Sequence, residues 1–233
     1  MNRVLPVFLL AGLWVTTSRA DTPPVPTLPP ATDVLLSGGS EASDWQLSGW
    51  VQDKGRLSAQ LTDDPEPATA ERDLPPGATE LMLQYRLGGE DTEAMIEIVS
   101  KEGTHPTYQL HLSDLSLVRH LTGDPSDRDE RVRPGQSVVV HGDGSVTRDR
   151  FGSQEPILQS VHDGQWNDLR WVVSPGEVRT YVNGSLMHRV VETAVAESGD
   201  EDASRLRITA TGPAGATVSI QTMTTRTEMI ARQ

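Results

Sequence analysis

The residues best equipped for proton chemistry lie in two neighbouring stretches. Glu93-Ala94-Met95-Ile96-Glu97 spaces two carboxylates so that they share one face of an extended strand. Tyr108-Gln109-Leu110-His111-Leu112-Ser113-Asp114 follows, with Gln109 and His111 on a common face. His111 is the candidate general base and Asp114 its orienting partner, because an imidazole changes charge near neutral pH and a carboxylate can fix its tautomer. Glycoside hydrolysis asks for two carboxyl groups about 5–5.5 Å apart for retention, or about 6.5–9.5 Å for inversion. Glu93 and Glu97 are the nearest approach to such a pair, and their ordinary reading is solvated strand-edge charge. Sugar sites add aromatic platforms and a few convergent polar groups. Trp166, at the start of a strand where an indole reaches a loop cleft, is the favoured platform, with Tyr108, Gln109 and Glu97 completing the binding set. Most other aromatics, including Trp45, Trp50 and Trp171, belong in a core.

Metal signals are thin. Asp124, Asp127, Asp129 and Glu130 offer the hard oxygen donors that suit Ca²⁺. Arg128, Arg131 and Arg133 interleave with them and neutralise the loop without an ion. The expectation is no cofactor, with calcium as the sole candidate. There is no His-Glu-x-x-His, no Gly-x-Ser-x-Gly, no phosphate loop and no Cys.

These residues need a scaffold, and the stretch from Trp166 to Val191 defines it. Three apolar runs are separated by Pro175-Gly176 and Asn183-Gly184. Asn-Gly supplies the two positive φ angles of a type I′ hairpin, so the stretch predicts a three-stranded antiparallel meander. Further strands are expected at Asp33–Leu36, Arg56–Leu61, Glu80–Leu87, Ala94–Val99, Tyr108–Leu112, Leu115–Leu121 and Val138–Val140, mostly from period-two alternation. Leu206–Ala210 and Val218–Thr222 read as a closing hairpin, and Thr62–Ala78, rich in Pro and acids, reads as loop. No fixed-period repeat and no long amphipathic helix appears. Many short strands with Gly and Pro between them indicate an all-β sandwich or barrel, and a jelly roll is the choice within that class.

The same blocks carry a family resemblance. The Trp-Asn opening, the strand pair and the terminal Asn-Gly of residues 166–187 resemble concanavalin A-like jelly rolls, laminin-G-like modules among them. The nearest likeness is to the 3-keto-disaccharide hydrolase type of domain. Trp45 to Trp50 with Gly55-Arg56-Leu57 is similar to that family's opening, Glu80 to Leu87 to its third block, and Leu206 to Met223 to its closing strands. The resemblance implies a two-sheet antiparallel jelly-roll sandwich over residues 33–227, and a domain that hydrolyses or binds glycosides, 3-keto glycosides in particular. It also marks a departure. Gln109 stands where the family places a Glu, and His111 where it places a Gln. A Gln cannot exchange a proton as a carboxyl does. The Glu-x-Asp-x-x-Glu strand of ordinary jelly-roll glycosidases is absent too. The alternative is a non-catalytic laminin-G-like module for adhesion or structure, with a protein or cell-surface partner.

Targeting and charge narrow the partners. Arg3, the apolar run Val4–Val15 and Ser18-Arg19-Ala20 form a secretory signal over residues 1–20. That run is shorter than the roughly 20 apolar residues of a membrane span. Residues 21–32, with Pro23, Pro24, Pro26, Pro29 and Pro30, read as an extended linker, and residues 228–233 as a tail. The chain is therefore expected outside the cytoplasm, secreted or periplasmic, with no membrane insertion once the signal is removed. An exported chain without disulfides is ordinary in bacteria. The net charge of −13, with Lys only at Lys54 and Lys101, excludes nucleic acid as a partner, because phosphates require a basic face. A glycan or glycoside is the expected ligand. Cleavage after Ala20 is the expected processing. Mass spectrometry of protein recovered from its native host should show Asp21 as the first residue, and a chain still beginning at Met1 would refute the signal.

Overall fold

The computed structural model describes residues 31–36, 44–64, 66–75, 78–100, 106–120, 129–152, 159, 161–174, 176–193 and 204–227. The signal, most of the linker, the tail, Asp124 and Asp127 lie outside them. In chain order the strands are β1 (Ala31–Val34), β2 (Gln46–Ser48), β3 (Trp50–Asp53), β4 (Arg56–Gln60), β5 (Ala68–Asp73), β6 (Ala78–Gly88), β7 (Glu93–Ser100), β8 (Thr107–His111) and β9 (Leu117–His120). They continue as β10 (Glu130–Val132), β11 (Gln136–Val140), β12 (Val146–Arg150), β13 (Asn167–Ser174), β14 (Glu177–Val182), β15 (Ser185–Glu192), β16 (Ser204–Thr211) and β17 (Thr217–Thr227). No helix occurs among the described residues.

Two sheets face each other. One is ten-stranded, ordered β12-β11-β15-β14-β13-β6-β17-β4-β3 with β1 beside β17; the other is seven-stranded, ordered β10-β9-β8-β7-β16-β5-β2. Period-two alternation fills the space between. Leu81, Leu83 and Tyr85 of β6, Leu169 and Trp171 of β13, and Val218 and Ile220 of β17 are buried from one side. Ala94 and Ile96 of β7, Leu110, Leu117, Leu206 and Ile208 are buried from the other. Each fully buried Leu or Ile contributes roughly 1.5–3 kcal/mol. Trp45 and Trp50 are core residues as expected, and Trp45 Nε1 donates to the Leu35 carbonyl at 3.2 Å.

The meander forms as its turn chemistry dictates. β13, β14 and β15 pair antiparallel, and Asn183 and Gly184 sit at φ 48° and 78°. The two asparagines of the motif then lock the end of the hairpin. Asn183 Nδ2 donates to Asn167 Oδ1 at 2.8 Å, and Asn183 Oδ1 accepts from the Asp168 amide at 2.8 Å. Asn167 Nδ2 donates to the carbonyls of His162 at 2.9 Å and Gln165 at 3.2 Å. Asn167 Oδ1 also accepts from the His162 amide at 2.8 Å. Those bonds fold residues 162–165 into the loop that presents Trp166.

Several elements differ from the sequence reading. The expected first strand, Asp33–Leu36, is displaced to Ala31–Val34, while Leu35 and Leu36 bend into the core. The stretch Thr62–Ala78 contains β5, whose charged outer face is neutralised by arginines of β16 and so lacks an apolar signature on that side. The charged loop that holds Asp129 and Glu130 contains β10, and the edge strand β12 has no counterpart among the expected strands. The closing hairpin does not exist. β16 belongs to the seven-stranded sheet and β17 to the ten-stranded one, so residues 212–216 carry the chain across the core. The sheets are antiparallel with one exception, the parallel pair β11–β15. It arises because β12, β13 and β14 intervene before the chain returns to β11.

Arg119 and His188 are among the polar residues buried in the layer. Arg119 of β9 reaches across to Glu192 of β15 with Nε–Oε1 2.8 Å and Nη2–Oε2 3.1 Å, joining the sheets by a bidentate pair. His188 of β15 is fully buried and pairs with Thr180 Oγ1. Burial pushes the His188 ring down to about 3, against the smaller opposing pull of the Leu115 backbone and the Asp114 charge.

The hairpin and the histidine each yield an expected outcome. A Cβ on Gly184 meets nothing within 4 Å, so Gly184→Val acts through its positive φ alone. The strain is of order 1–3 kcal/mol, and the melting temperature should fall by several degrees; an unchanged melt would contradict the tight turn. For His188 the folded value lies below the ordinary one, so the unfolded chain binds the extra proton. Its stability contribution is complete above about pH 6.5 and is lost as pH falls toward 3, by up to about 1.4 kcal/mol per unit. His188→Gln should flatten stability between pH 6.5 and 5 in denaturant titrations, and an unaltered slope would exclude His188 as its source.

Candidate functional site

The outer face of the seven-stranded sheet sets two of the sequence-predicted residues, Glu97 and Gln109, into one polar row. Register places Gln46 opposite Glu71, Glu71 opposite Arg207, Arg207 opposite Glu97, and Glu97 opposite Gln109. Arg207 is the hub. Its Nε donates to Glu71 Oε1 at 2.5 Å and its Nη1 to Glu97 Oε2 at 3.2 Å. Gln109 Nε2 donates to Glu97 Oε1 at 2.8 Å. Arg205 extends the row, with 3.4 Å to Glu71 and 3.3 Å to Asp73. The hydrogen bond that Arg207 donates to the Glu71 carboxylate is the largest influence on its guanidinium and raises it further. The row runs into an open depression of about 320 Å³ lined by Asp44, Gln46, Glu71, Arg72, Asp73 and Arg205.

Glu97 is only 7% exposed although it faces outward. Both of its oxygens are taken by protein donors, one by Gln109 and one by Arg207. It is thereby fixed as a hydrogen-bond acceptor rather than aimed at a scissile bond. Glu93, Met95 and Glu97 share the face as the alternation predicts, and Glu93 is exposed.

His111 stands on the same face, half-buried and in register with Met95. Asp114 is not brought to it. Asp114 Oδ1 accepts from the Ser116 amide at 2.9 Å and the Ser116 hydroxyl at 2.7 Å, and Oδ2 accepts from Arg131. Burial alone would raise this carboxyl, but Ser116 and Arg131 outweigh it and hold it below the usual range. Leu115, at φ 53°, turns the chain so that Asp114 closes back on Ser116. Among the described contacts no hydrogen bond links His111 to Asp114.

Two binding candidates lie elsewhere. Tyr108 points into the core and donates to Glu192; burial first, then the Glu192 charge, pushes its phenol well above the usual range. Trp166 lies just before β13 of the opposite sheet, half-buried, with the guanidinium groups of Arg56 and Arg86 over its ring. Of the acidic loop, Asp129 pairs with His120 and Glu130 with Arg148, and the described residues hold no group of three or more possible metal ligands.

Sequence reasoning did not reach Glu71 and Arg207. Alternation in β16 puts Arg205 and Arg207 outward, which was a readable signal. Their partner Glu71 sits in a short strand between prolines, and its place beside β16 follows only from the sheet order.

No family model matches the chain, and no curated protein matches it. Solved structures do. An endo-β-galactosidase from Clostridium perfringens that releases GlcNAcα1-4Gal is 8% identical, with TM-score 0.55, over 90% of this chain and 66% of that one. The κ-carrageenase from Pseudoalteromonas carrageenovora, in complex with a κ-carrageenan oligosaccharide, is 7% identical with TM-score 0.51, over 90% of this chain and all (100%) of that one. Porphyranase B from Zobellia galactanivorans is 11% identical with TM-score 0.50, over 84% and 89%. At such identities the likeness is one of fold. Together with the two facing, mainly antiparallel sheets and the absence of helix among the described residues, it identifies the chain as a concanavalin A-like jelly-roll β-sandwich.

Proposed function

We propose that the protein is an exported glycan-binding module whose ligand lies along Glu71, Arg207, Glu97 and Gln109. The observation that carries this reading is the row itself. A planar guanidinium, an amide and two carboxylates are preorganised by one another across four central strands, on the outer face of the sheet. Such groups match the donor and acceptor pattern of sugar hydroxyls, and prepaid ordering favours affinity. The adjacent depression gives a saccharide chain room to continue toward β2. The jelly-roll likeness to glycan-active proteins supports the ligand class, and the resemblance of β8 to 3-keto-disaccharide hydrolases makes 3-keto glycosides the first ligands to try.

Binding rather than hydrolysis follows from Glu97. A two-carboxylate mechanism needs an acid and a base facing the bond. Here both oxygens of the central carboxylate are occupied, and its neighbour at 109 is an amide. A specific observation also favours the second reading, a laminin-G-like module with a protein partner. Among the described residues this face carries no Trp, Tyr or Phe beside its carboxylates, whereas sugar sites commonly use one.

A glycan array that includes 3-keto glycosides, run on the secreted chain and on Glu97→Gln, Arg207→Ala and His111→Ala, tests the reading. Loss of one charge-assisted bond should weaken binding roughly 10- to 100-fold for Glu97→Gln and for Arg207→Ala, with circular dichroism showing both still folded at the assay temperature and their melting temperatures lowered, because each change leaves a partner in the row unsatisfied. Equal binding by all variants would refute the site, and absence of any glycan binding would favour the protein-partner module. Turnover of a 3-keto glycoside would refute pure binding. In that case a fall of about 10²–10⁴ in His111→Ala would assign the base to His111, and collapse only in Glu93 and Glu97 variants would restore a carboxylate pair.

A further inference from the structure

The ten-stranded sheet carries a second cluster on its own outer face, remote from that row in the sheet order. The guanidinium of Arg86 lies 5.1 Å from the Trp166 ring centroid and that of Arg56 lies 5.3 Å from it. Two like charges thus share one indole. Elsewhere on this face the arginines are neutralised: Arg170 and Arg226 pair with Glu80, and Arg179 and Arg189 with Glu177. Among the described residues no ion pair joins Arg56 or Arg86 to a carboxylate, although the chain as a whole carries −13. Asp53 lies opposite Arg56 in the β3–β4 register without pairing to it, and Asp168 accepts instead from Gln84 Nε2 at 2.8 Å.

The surroundings are built rather than incidental. Arg56 Nη2 donates to Gln221 Oε1 at 3.3 Å, and Gln221 Nε2 donates to Gln84 Oε1 at 2.9 Å, so an amide chain runs from Asp168 to Arg56. Immediately after Gln221 the register of β17 against β6 breaks, and Thr222 adopts φ 55°. A β-branched residue at positive φ is a genuine outlier, and such strain gathers at functional positions. Ser219 lies opposite Arg86 in register and Ser58 opposite Ser219, and both add hydroxyls. Trp166 itself is held by the Asn167 lock, so the indole is a fixed platform.

We propose that Arg56, Arg86 and Trp166 form a binding site for acidic saccharides. The two guanidinium groups take a carboxylate or sulfate, whose charge relieves their mutual repulsion, while Gln84, Gln221 and the serine hydroxyls take ring hydroxyls. Guanidinium forks match both oxyanions in geometry, and the indole edge supplies an apolar contact for the sugar. The site is independent of the Glu97 row, and an anionic ligand fits it where it would not fit a row rich in carboxylates.

Isothermal titration of the secreted chain tests this with four probes: oligogalacturonate, a sulfated galactan oligosaccharide, the matching neutral galactan, and sodium sulfate. Either acidic oligosaccharide should bind, at least tenfold more tightly than the neutral one, and weaken as salt is raised from 50 to 500 mM. Which of the two binds identifies the oxyanion. Arg56→Gln and Arg86→Gln should each lower that affinity about tenfold or more, with unchanged melting curves, and Arg148→Gln, an arginine of the edge strand β12 paired with Glu130, should leave it unaltered. Equal affinity for neutral and acidic chains, binding of sulfate without either acidic oligosaccharide, or full affinity in both arginine variants would overturn the proposal. Arg86→Lys gives a further check: a point charge without the planar fork should recover only part of the affinity, and full recovery would refute recognition by a guanidinium fork.

Discussion

Every inner strand of this sandwich must bury one face and leave the other to water, and that single constraint fixes most of what the molecule can do. Side chains alternate across a strand, so each apolar residue committed to the core commits its neighbours to an outer face. Leu81, Leu83 and Tyr85 inward mean Met82, Gln84 and Arg86 outward. Ala94 and Ile96 inward mean Met95 and Glu97 outward. Removing the apolar layer would leave neither outer row in register, because the rows are held by strand pairing and the pairing is held by the core.

The core also explains the two polar interactions that cross it. Arg119 and Glu192 are expensive to desolvate, and they persist because the pair is bidentate and Tyr108 donates to the same carboxylate. The bridge ties β9 to β15, strands from different sheets. His188 sits in the same layer as a neutral ring. Both make the relation of the two sheets more specific than hydrophobic contact alone, which is indifferent to small slides.

The two outer faces have been put to different electrostatic use. On the seven-stranded sheet, carboxylates and arginines alternate and neutralise one another into a rigid polar surface. On the ten-stranded sheet, most arginines are neutralised by Glu80 and Glu177, but Arg56 and Arg86 are gathered around Trp166 instead. An acidic protein thus carries, at one indole, a pair of cations that no carboxylate among the described residues compensates.

The sequence by itself determined the local structure. Asn183-Gly184 fixed a tight turn through its positive φ angles, and alternation identified the central strands, their buried aromatics and the shared face of Glu93 and Glu97. Local chemistry suffices there because turns and alternation are decided within a few residues. Only the tertiary structure decided which strands lie side by side. It sent β16 and β17 to opposite sheets, placed the proline-flanked β5 against β16 so that Glu71 meets Arg207, turned Tyr108 inward, and folded Asp114 onto Ser116 and Arg131 rather than His111. The physical reason is that pairing partners are chosen by the total apolar area that the whole set of strands can bury at once. That quantity belongs to no single stretch of sequence.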